Sequence, residues 1–322
     1  MINNQDFMEL DDTIETLNRC LQGLGYRSIE FTFTVPKRLQ MNYFSGAVLR
    51  NRFLWAAEQV ITPEGVSLRT LLDTLPLNQD HFLYRQLCGG FPKGFLIDCS
   101  YLPYKHPGFI LEENRIYIGY LTLIGKCVAY EEEFHQAMER MFEKGFGHPI
   151  QSVLLLDWNV HVEATMPQLE AEEERMGAEL DLVTPVCLAH SKSVSANGYQ
   201  NKMNGFPSFY QLMRSLIYRL TTLSMLYADD ATFSSKDDWE QCIDRFLEPA
   251  QEAVLLHADI LYANRYSTPK KGKNRVYVME GYVGNLIFDS VLKSYRPLLE
   301  FGTAFGVGND INYGLGMFRM NI

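Results

Sequence analysis

His190 stands at the end of a predicted strand and runs directly into Ser191-Lys192-Ser193 and a polar, glycine-containing stretch. An imidazole, an ammonium and hydroxyls at one sheet edge are the parts of a proton-transfer site, because histidine titrates near neutral pH and lysine can offset developing negative charge. A solvated surface loop is the competing reading of the same residues. A second possibility for chemistry lies in Gly306, Gly308, Gly314 and Gly316, between the apolar run Pro297 to Phe305 and the short alternating segment Leu315 to Met320. Glycine admits positive φ and lets backbone amides approach a ligand, so the loop can act as an anion-binding nest, or simply be a tight turn. The third feature is charge. Arg265, Lys270, Lys271, Lys273 and Arg275 follow one another with no acidic residue among them, and Ser267 to Lys273 falls between two predicted strands. A projecting hairpin tip of this charge could lie along a nucleic-acid backbone or enter a stem groove; a solvated turn is the alternative.

The other histidines carry less. His81 and His106 lie in irregular stretches near Arg85 and Lys105, while His135 falls on a helix, His148 in a turn, His161 on a strand and His257 at a helix end. The last four read as structural. The six cysteines are scattered, with no Cys-x-x-Cys pair and no histidine at ligand spacing, so they read as reduced, buried thiols. No pair of histidines or acids shows ligand spacing with supporting carboxylates; neither a metal nor a cofactor is expected.

Positioning these residues takes a substantial scaffold. At 322 residues and 47% hydrophobic content the chain has room for two ordinary domains. No apolar stretch is long enough to span a bilayer, and Met1 to Asp12 is polar and acidic, so a cytoplasmic protein with no membrane partner is expected. The formal net charge of −10 argues at first sight against nucleic acid. Its distribution matters more: acid is concentrated in Glu163 to Asp181 and Asp229 to Glu248, base in Arg265 to Arg275, so one basic face can survive.

Periodicity supplies the elements. Asp11 to Leu24 reads as an opening helix, Ser28 to Arg38 as a strand alternating at Ile29, Phe31, Phe33 and Val35, and Asn42 to Val60 as a helix. Strands at Gly94 to Tyr101 and Arg115 to Lys126, a helix at Glu131 to Lys144 and a strand at Gln151 to Glu163 complete the first half. The order strand, helix, strand, strand, helix, strand is the ferredoxin-like arrangement. After an acidic linker the order repeats. Asp181 to Ala189 is a strand, Phe206 to Tyr227 a helix, and Trp239 to Leu256 an additional helix; Ile260 to Tyr266 and Asn274 to Asp289 form a hairpin, Leu292 to Phe305 a helix, and Leu315 to Met320 the last strand. The expected fold is α+β: two tandem ferredoxin-like (RRM-like) βαββαβ domains at 1–163 and 181–322, joined by a linker at 164–180, with a glycine-rich loop near the carboxy terminus.

Several segments on this frame carry a family likeness: Arg265-Tyr266-Ser267, Glu280-Gly281-Tyr282-Val283-Gly284, the helix at Leu298-Leu299, Gly306-Val307-Gly308 and Tyr313-Gly314-Leu315-Gly316. Together they resemble the RAMP superfamily of CRISPR systems, and most closely the repeat-processing endoribonucleases of the Cas-six type. In the first half, Ser45 to Arg50 and the passage Tyr117 to Gly125 leading into the helix Glu131 to Lys144 are similar to the same group. The likeness is most specific after Asn264. It departs where the group often has lysine after the second loop glycine and this chain has Asn309, which removes a cationic side chain but not a backbone role.

The resemblance implies metal-independent cleavage of CRISPR precursor transcripts within each repeat, by attack of a ribose 2′-hydroxyl on the adjacent phosphate. The products are a cyclic phosphate and a free 5′-hydroxyl. It also implies a base, often carried on or beside the first helix of the first half, where this chain has Tyr43 and no histidine. Tyr43, His190 and Lys192 are therefore the catalytic candidates, although a phenol of pKa about 10 is a poor base without nearby cations. Arg50, Arg52, Arg265, Lys270, Lys271, Lys273, Arg275 and the four loop glycines are the candidate RNA contacts. Arg50 and Arg52 are two residues apart on a helix, so they point to different faces. The implied partners are repeat RNA and other CRISPR-associated proteins, with the protein a monomer or homodimer. A RAMP protein that binds repeat RNA without cutting it, or that forms part of an effector complex, is the alternative.

Overall fold

The computed structural model describes residues 4–42, 45–98, 108–147, 150–166, 168–188, 206–228, 233–266 and 278–321. The first half runs α1 (Asn4–Leu21), β1 (Gly25–Thr34), β2 (Leu39–Asn42), α2 (Ser45–Ala57), two short helices α3 (Leu68–Asp73) and α4 (Tyr84–Leu87), β3 (Phe95–Asp98), β4 (Gly108–Leu111), β5 (Ile116–Ile124), α5 (Glu131–Lys144) and β6 (Leu154–Thr165). The second runs β7 (Arg175–Val186), α6 (Phe209–Tyr227), α7 (Lys236–Leu247), β8 (Val254–Tyr266), β9 (Val278–Leu292), α8 (Arg296–Phe305) and β10 (Phe318–Asn321).

Each half closes one four-stranded antiparallel sheet. The orders are β3-β5-β1-β6 and β10-β7-β9-β8, so the same connectivity is used twice, and both are the ferredoxin-like order expected from the element sequence. The alternation at Ile29, Phe31 and Phe33 buries these residues on the helix-covered side of β1. There Phe33 meets Phe142 of α5 at 5.2 Å, while Phe53 of α2 stacks on Phe134 of α5 at 5.5 Å. In the second half Phe209 of α6 packs edge-on against Phe288 of β9 at 5.5 Å, and Tyr295 joins Phe209 to Phe246 of α7. Among the described residues no helix is long and apolar enough to cross a membrane.

Three element boundaries differ from the sequence reading. Trp239 to Leu256 is not one helix: α7 stops at Leu247, Pro249 opens a 3-10 turn over Glu248–Glu252, and Val254 begins β8. Proline cannot donate the helical hydrogen bond, and the β-prone residues beyond it pair with β9 instead. The acidic connection is shorter than residues 164–180. β6 pairs with β1 as far as Thr165, and β7 is already paired with β9 at Arg175, its inward alternation carried by Ala178, Leu180 and Leu182. The β2–β4 pair is additional; four residues on each side give too little periodicity to read.

Two joints between the halves stand out among the described residues, beside the contact of Tyr227 of α6 with Pro92, whose carbonyl accepts from the Tyr227 hydroxyl at 3.3 Å. α1 opens the chain, yet it lies against the second half: Ser224 of α6 donates to the Cys20 carbonyl, and the Cys242 thiol of α7 to the Thr13 carbonyl at 3.8 Å. Asn18 fastens α1 to the connection, its side-chain amide donating to the Leu169 carbonyl and accepting from the Leu169 amide, both at 2.8 Å. The second joint is at the glycine loop. A Cβ at Gly46, in the first turn of α2, would lie 2.2 Å from the Tyr313 carbonyl oxygen and 3.0 Å from the Gly314 Cα, so only glycine lets these backbones touch. Leu96 of β3 packs with Ile311 and Met317 in a small core between the halves, and Tyr26 of β1 sets its ring edge-on to Phe301 and Phe305 of α8.

Two substitutions separate these contributions. Phe33→Ala, at a position with no solvent exposure, is expected to cost about 3–5 kcal/mol in urea unfolding. Gly46→Ala is expected to cost about 1–3 kcal/mol through the clash with Tyr313. Gly89→Ala, where a Cβ meets nothing within 4 Å, stays within about 0.5 kcal/mol. A Gly46 variant as stable as the Gly89 control contradicts the close-contact account.

Candidate nucleic-acid interface

The loop between α8 and β10 is shaped by its glycines. Gly306, Gly308, Gly314 and Gly316 have φ of 69°, 96°, 75° and 77°, a region closed to most side chains. Its backbone is tied down throughout. Gly306 donates to Gly302, Val307 to Gly316, Gly308 to the Ser215 hydroxyl of α6 at 3.1 Å, and Asn309 to Cys187 at 2.6 Å. Gly314 donates to Ile311, Gly316 to Pro185, and Met317 to the Thr184 hydroxyl. The nest expected from the sequence therefore does not rest on the four glycine amides, each of which already has an acceptor. Their geometric duty is to fold the loop onto β7 and α6 and to present Asp310 to Tyr313 toward the first half. Asn309 forms a single bridge with Cys187, so the position where the group often has lysine is fixed beside the end of β7.

What the loop meets there is cationic. The Arg50 guanidinium, one turn beyond Gly46, lies over the Tyr313 ring at 4.5 Å from its centroid. Arg50 Nε and the neighbouring Asn312 Oδ1 are both buried with no hydrogen-bond partner. Lys93 shares the neighbourhood. Burial pushes its ammonium pKa down, the Asp73 contact at 3.2 Å opposes this, and the Arg50 charge adds to the lowering. Beneath the loop, Arg219 of α6 donates to the Phe305 carbonyl at 3.2 Å, a cation set against the carboxy-terminal end of α8. Burial lowers the Arg219 pKa to about 10. The junction is thus a close contact between α2 and the loop, with a guanidinium held over an aromatic face and two buried polar atoms unmatched.

The sequence candidates fall out unevenly around it. Arg50 is at the junction; Arg52, as the spacing predicts, faces away with Val48, Asn51 and Trp55. Arg265 pairs with Met279 near the end of the β8–β9 ladder. Tyr43, His106, His148, His190, Lys192, Lys270, Lys271, Lys273 and Arg275 lie outside the described residues. Of the other histidines, His81 stacks on Phe82 and accepts from the Leu83 amide at 3.2 Å, and burial lowers its pKa. His135 stacks on Trp158 at 4.6 Å and His161 packs edge-on to Tyr120. His257 pairs with Ile287 inside β8, not at a helix end. Among the described residues no three His, Cys, Asp or Glu side chains converge as a metal site. Tyr313 and Lys93 were missed by sequence reasoning. Tyr313 could have been found as the aromatic residue immediately before a loop glycine, whereas nothing local marks Lys93.

Comparison with known proteins puts this geometry in context. Residues 180–318, which take in β7 from Leu180 onward, the glycine loop and the start of β10, match the family model of the CRISPR-associated endoribonuclease Cas6. No curated protein sequence matches the chain. Among solved structures, a Cas6 product complex aligns with a TM-score of 0.55 and 14% identity, covering 92% of this chain and 100% of that one. A partial Cas6-RT-Cas1–Cas2 complex aligns at 0.54 and 12% identity over 94% of this chain, which spans about half, 47%, of that longer polypeptide. At such identities the likeness is one of fold. Residues 180–318 thus carry the Cas6 sequence pattern, and the chain as a whole has a fold like that of the solved Cas6 structures, two tandem ferredoxin-like units.

Proposed function

We propose that the protein is an endoribonuclease that cuts CRISPR precursor transcripts within their repeats. The observation that carries this reading is the Cas6 family match over residues 180–318, the part of the chain whose glycine loop is folded against α2 and Arg50. In the reaction the 2′-hydroxyl oxygen bonds to the adjacent phosphorus and the bond from phosphorus to the 5′ oxygen breaks. A base takes the hydroxyl proton and an acid protonates the departing oxygen, so no metal is needed for the balance. His190 is proposed as the base or acid, with Lys192 and Tyr43 as the other catalytic candidates, and Arg50 as a cation offsetting charge on the reacting phosphate. Arg52 and the basic stretch Arg265, Lys270, Lys271, Lys273 and Arg275 are proposed to hold the RNA backbone. Repeat RNA is the proposed partner, with other CRISPR-associated proteins as further ones.

A binding protein that does not cut is the second reading, favoured by one observation: α2, from Ser45 to Ala57, contains no histidine. Incubating the purified protein with cognate repeat RNA in EDTA decides between them. One site-specific cut leaving a cyclic phosphate and a 5′-hydroxyl is expected; salt-sensitive binding with no cut would establish the second reading. His190→Ala is expected to slow cleavage by about 10²–10⁴-fold with binding retained, and an unchanged rate would remove His190 from the mechanism. Arg50→Ala is expected to weaken RNA binding and reduce its salt slope by about 1, measured by filter binding across a salt series.

A further inference from the structure

α2 has two working faces. Gly46 and Arg50 meet the glycine loop, while Val48, Asn51, Arg52 and Trp55, on the opposite side, line an open hollow of about 380 Å³ with Met41 and Ile150. Three properties distinguish the hollow from an ordinary surface dip. Trp55 is 39% exposed and Ile150 is 55% exposed, so a large aromatic and a large aliphatic side chain stand in water beside each other. Of the chain's three tryptophans, Trp239 is buried and Trp158 is stacked on His135. The charge is of one sign: among the described residues Arg52 is the only charged one lining the hollow, and the Lys144 ammonium of α5 lies over the Trp55 ring, 5.3 Å from its centroid. A side-chain amide, Asn51, completes the lining with both donor and acceptor capacity.

A flat apolar face, an amide and cations beside it match the parts of a nucleotide. The indole offers a stacking platform for a base, Asn51 a hydrogen-bonding partner for its edge, and Arg52 and Lys144 a place for its phosphate. The volume lies at the lower end for small-molecule pockets, which suits one nucleotide and not a helical stem. We propose that this hollow binds one unpaired nucleotide of the RNA strand whose neighbouring nucleotides contact Arg50 on the opposite face of α2, one helix width of about 10–12 Å away. The proposal rests on the RNA-processing function above and adds a specificity site to it: a single-stranded flank of the repeat is held on the far face of α2. RNA offering only paired nucleotides lacks that contact.

Tryptophan fluorescence and RNA binding test it together on the full-length protein. Adenosine and uridine monophosphates are titrated into the wild type and Trp55→Leu, and both proteins are then titrated with repeat RNA carrying or lacking its unpaired flank. The expected result is quenching by mononucleotide in the wild type and none in Trp55→Leu. For flanked RNA the variant binds about tenfold more weakly, and for RNA without the flank its affinity is unchanged. Trp55→Phe retains the affinity, and an unchanged melting temperature excludes loss of fold. No quenching, with equal affinity of wild type and Trp55→Leu for flanked RNA, overturns the proposal, leaves the endoribonuclease reading intact and assigns the hollow to a protein partner. Quenching through Trp55 in a protein that neither binds nor cuts repeat RNA overturns the endoribonuclease reading while supporting a nucleotide site.

Discussion

The geometry of the carboxy-terminal loop depends on one place where two backbones touch. Gly46 on α2 and the Tyr313-Gly314 peptide on the loop approach so closely that a single methyl group would separate them. Because they touch, Arg50, one turn further along α2, arrives over the Tyr313 ring, and the small core of Leu96, Ile311 and Met317 can close. The positive-φ glycines matter on the other side of the same contact. They bend the loop so that its own amides find acceptors on β7 and α6, leaving the turn from Asp310 to Tyr313 to be offered across the junction. Glycine here is a device for bringing chain segments together, with any ligand supplied from the seam it creates.

Charge is organised around that seam. The net charge of −10 would repel a polyanion if it were spread evenly. It is not spread evenly. Arg50 and Lys93 sit at the junction and Arg52 and Lys144 on the far face of α2, whereas Asp237, Glu240, Asp244 and Glu248 line an open groove along α7 in the other half. An acidic protein built this way can present cations on one side while repelling a polyanion from another, so overall charge says little about the partner.

The repeated element order was legible in the sequence because the alternation at Ile29, Phe31 and Phe33, and the helical spacing of α5 and α6, are strong local signals that the packing then uses without change. Elements of four residues such as β2 and β4 carry too few repeats to be read, and the end of α7 at Leu247 is obscured by the apolar residues Ala253 to Leu256 that continue past Pro249. The candidate site was legible in its residue types but not in its roles. That the amides of Gly308, Asn309 and Gly316 would be spent on Ser215, Cys187 and Pro185 depends on partners more than ninety residues away, which no local spacing reports. The separation of Arg50 from Arg52 followed from helical geometry alone. The pairing of Arg50 with Tyr313 did not, because it exists only once the two halves have met.

α1 gives the fold a directional character. It has its seat on α6 and α7, and its Cys20 carbonyl waits for Ser224, 204 residues later in the chain. At translation rates of 5–20 residues per second that is a delay of roughly 10–40 s. During that interval the stripe of Leu10, Ile14, Leu17 and Leu21 has no second half to cover it. The helix that leads into the first ferredoxin-like unit is therefore housed by segments made long after it.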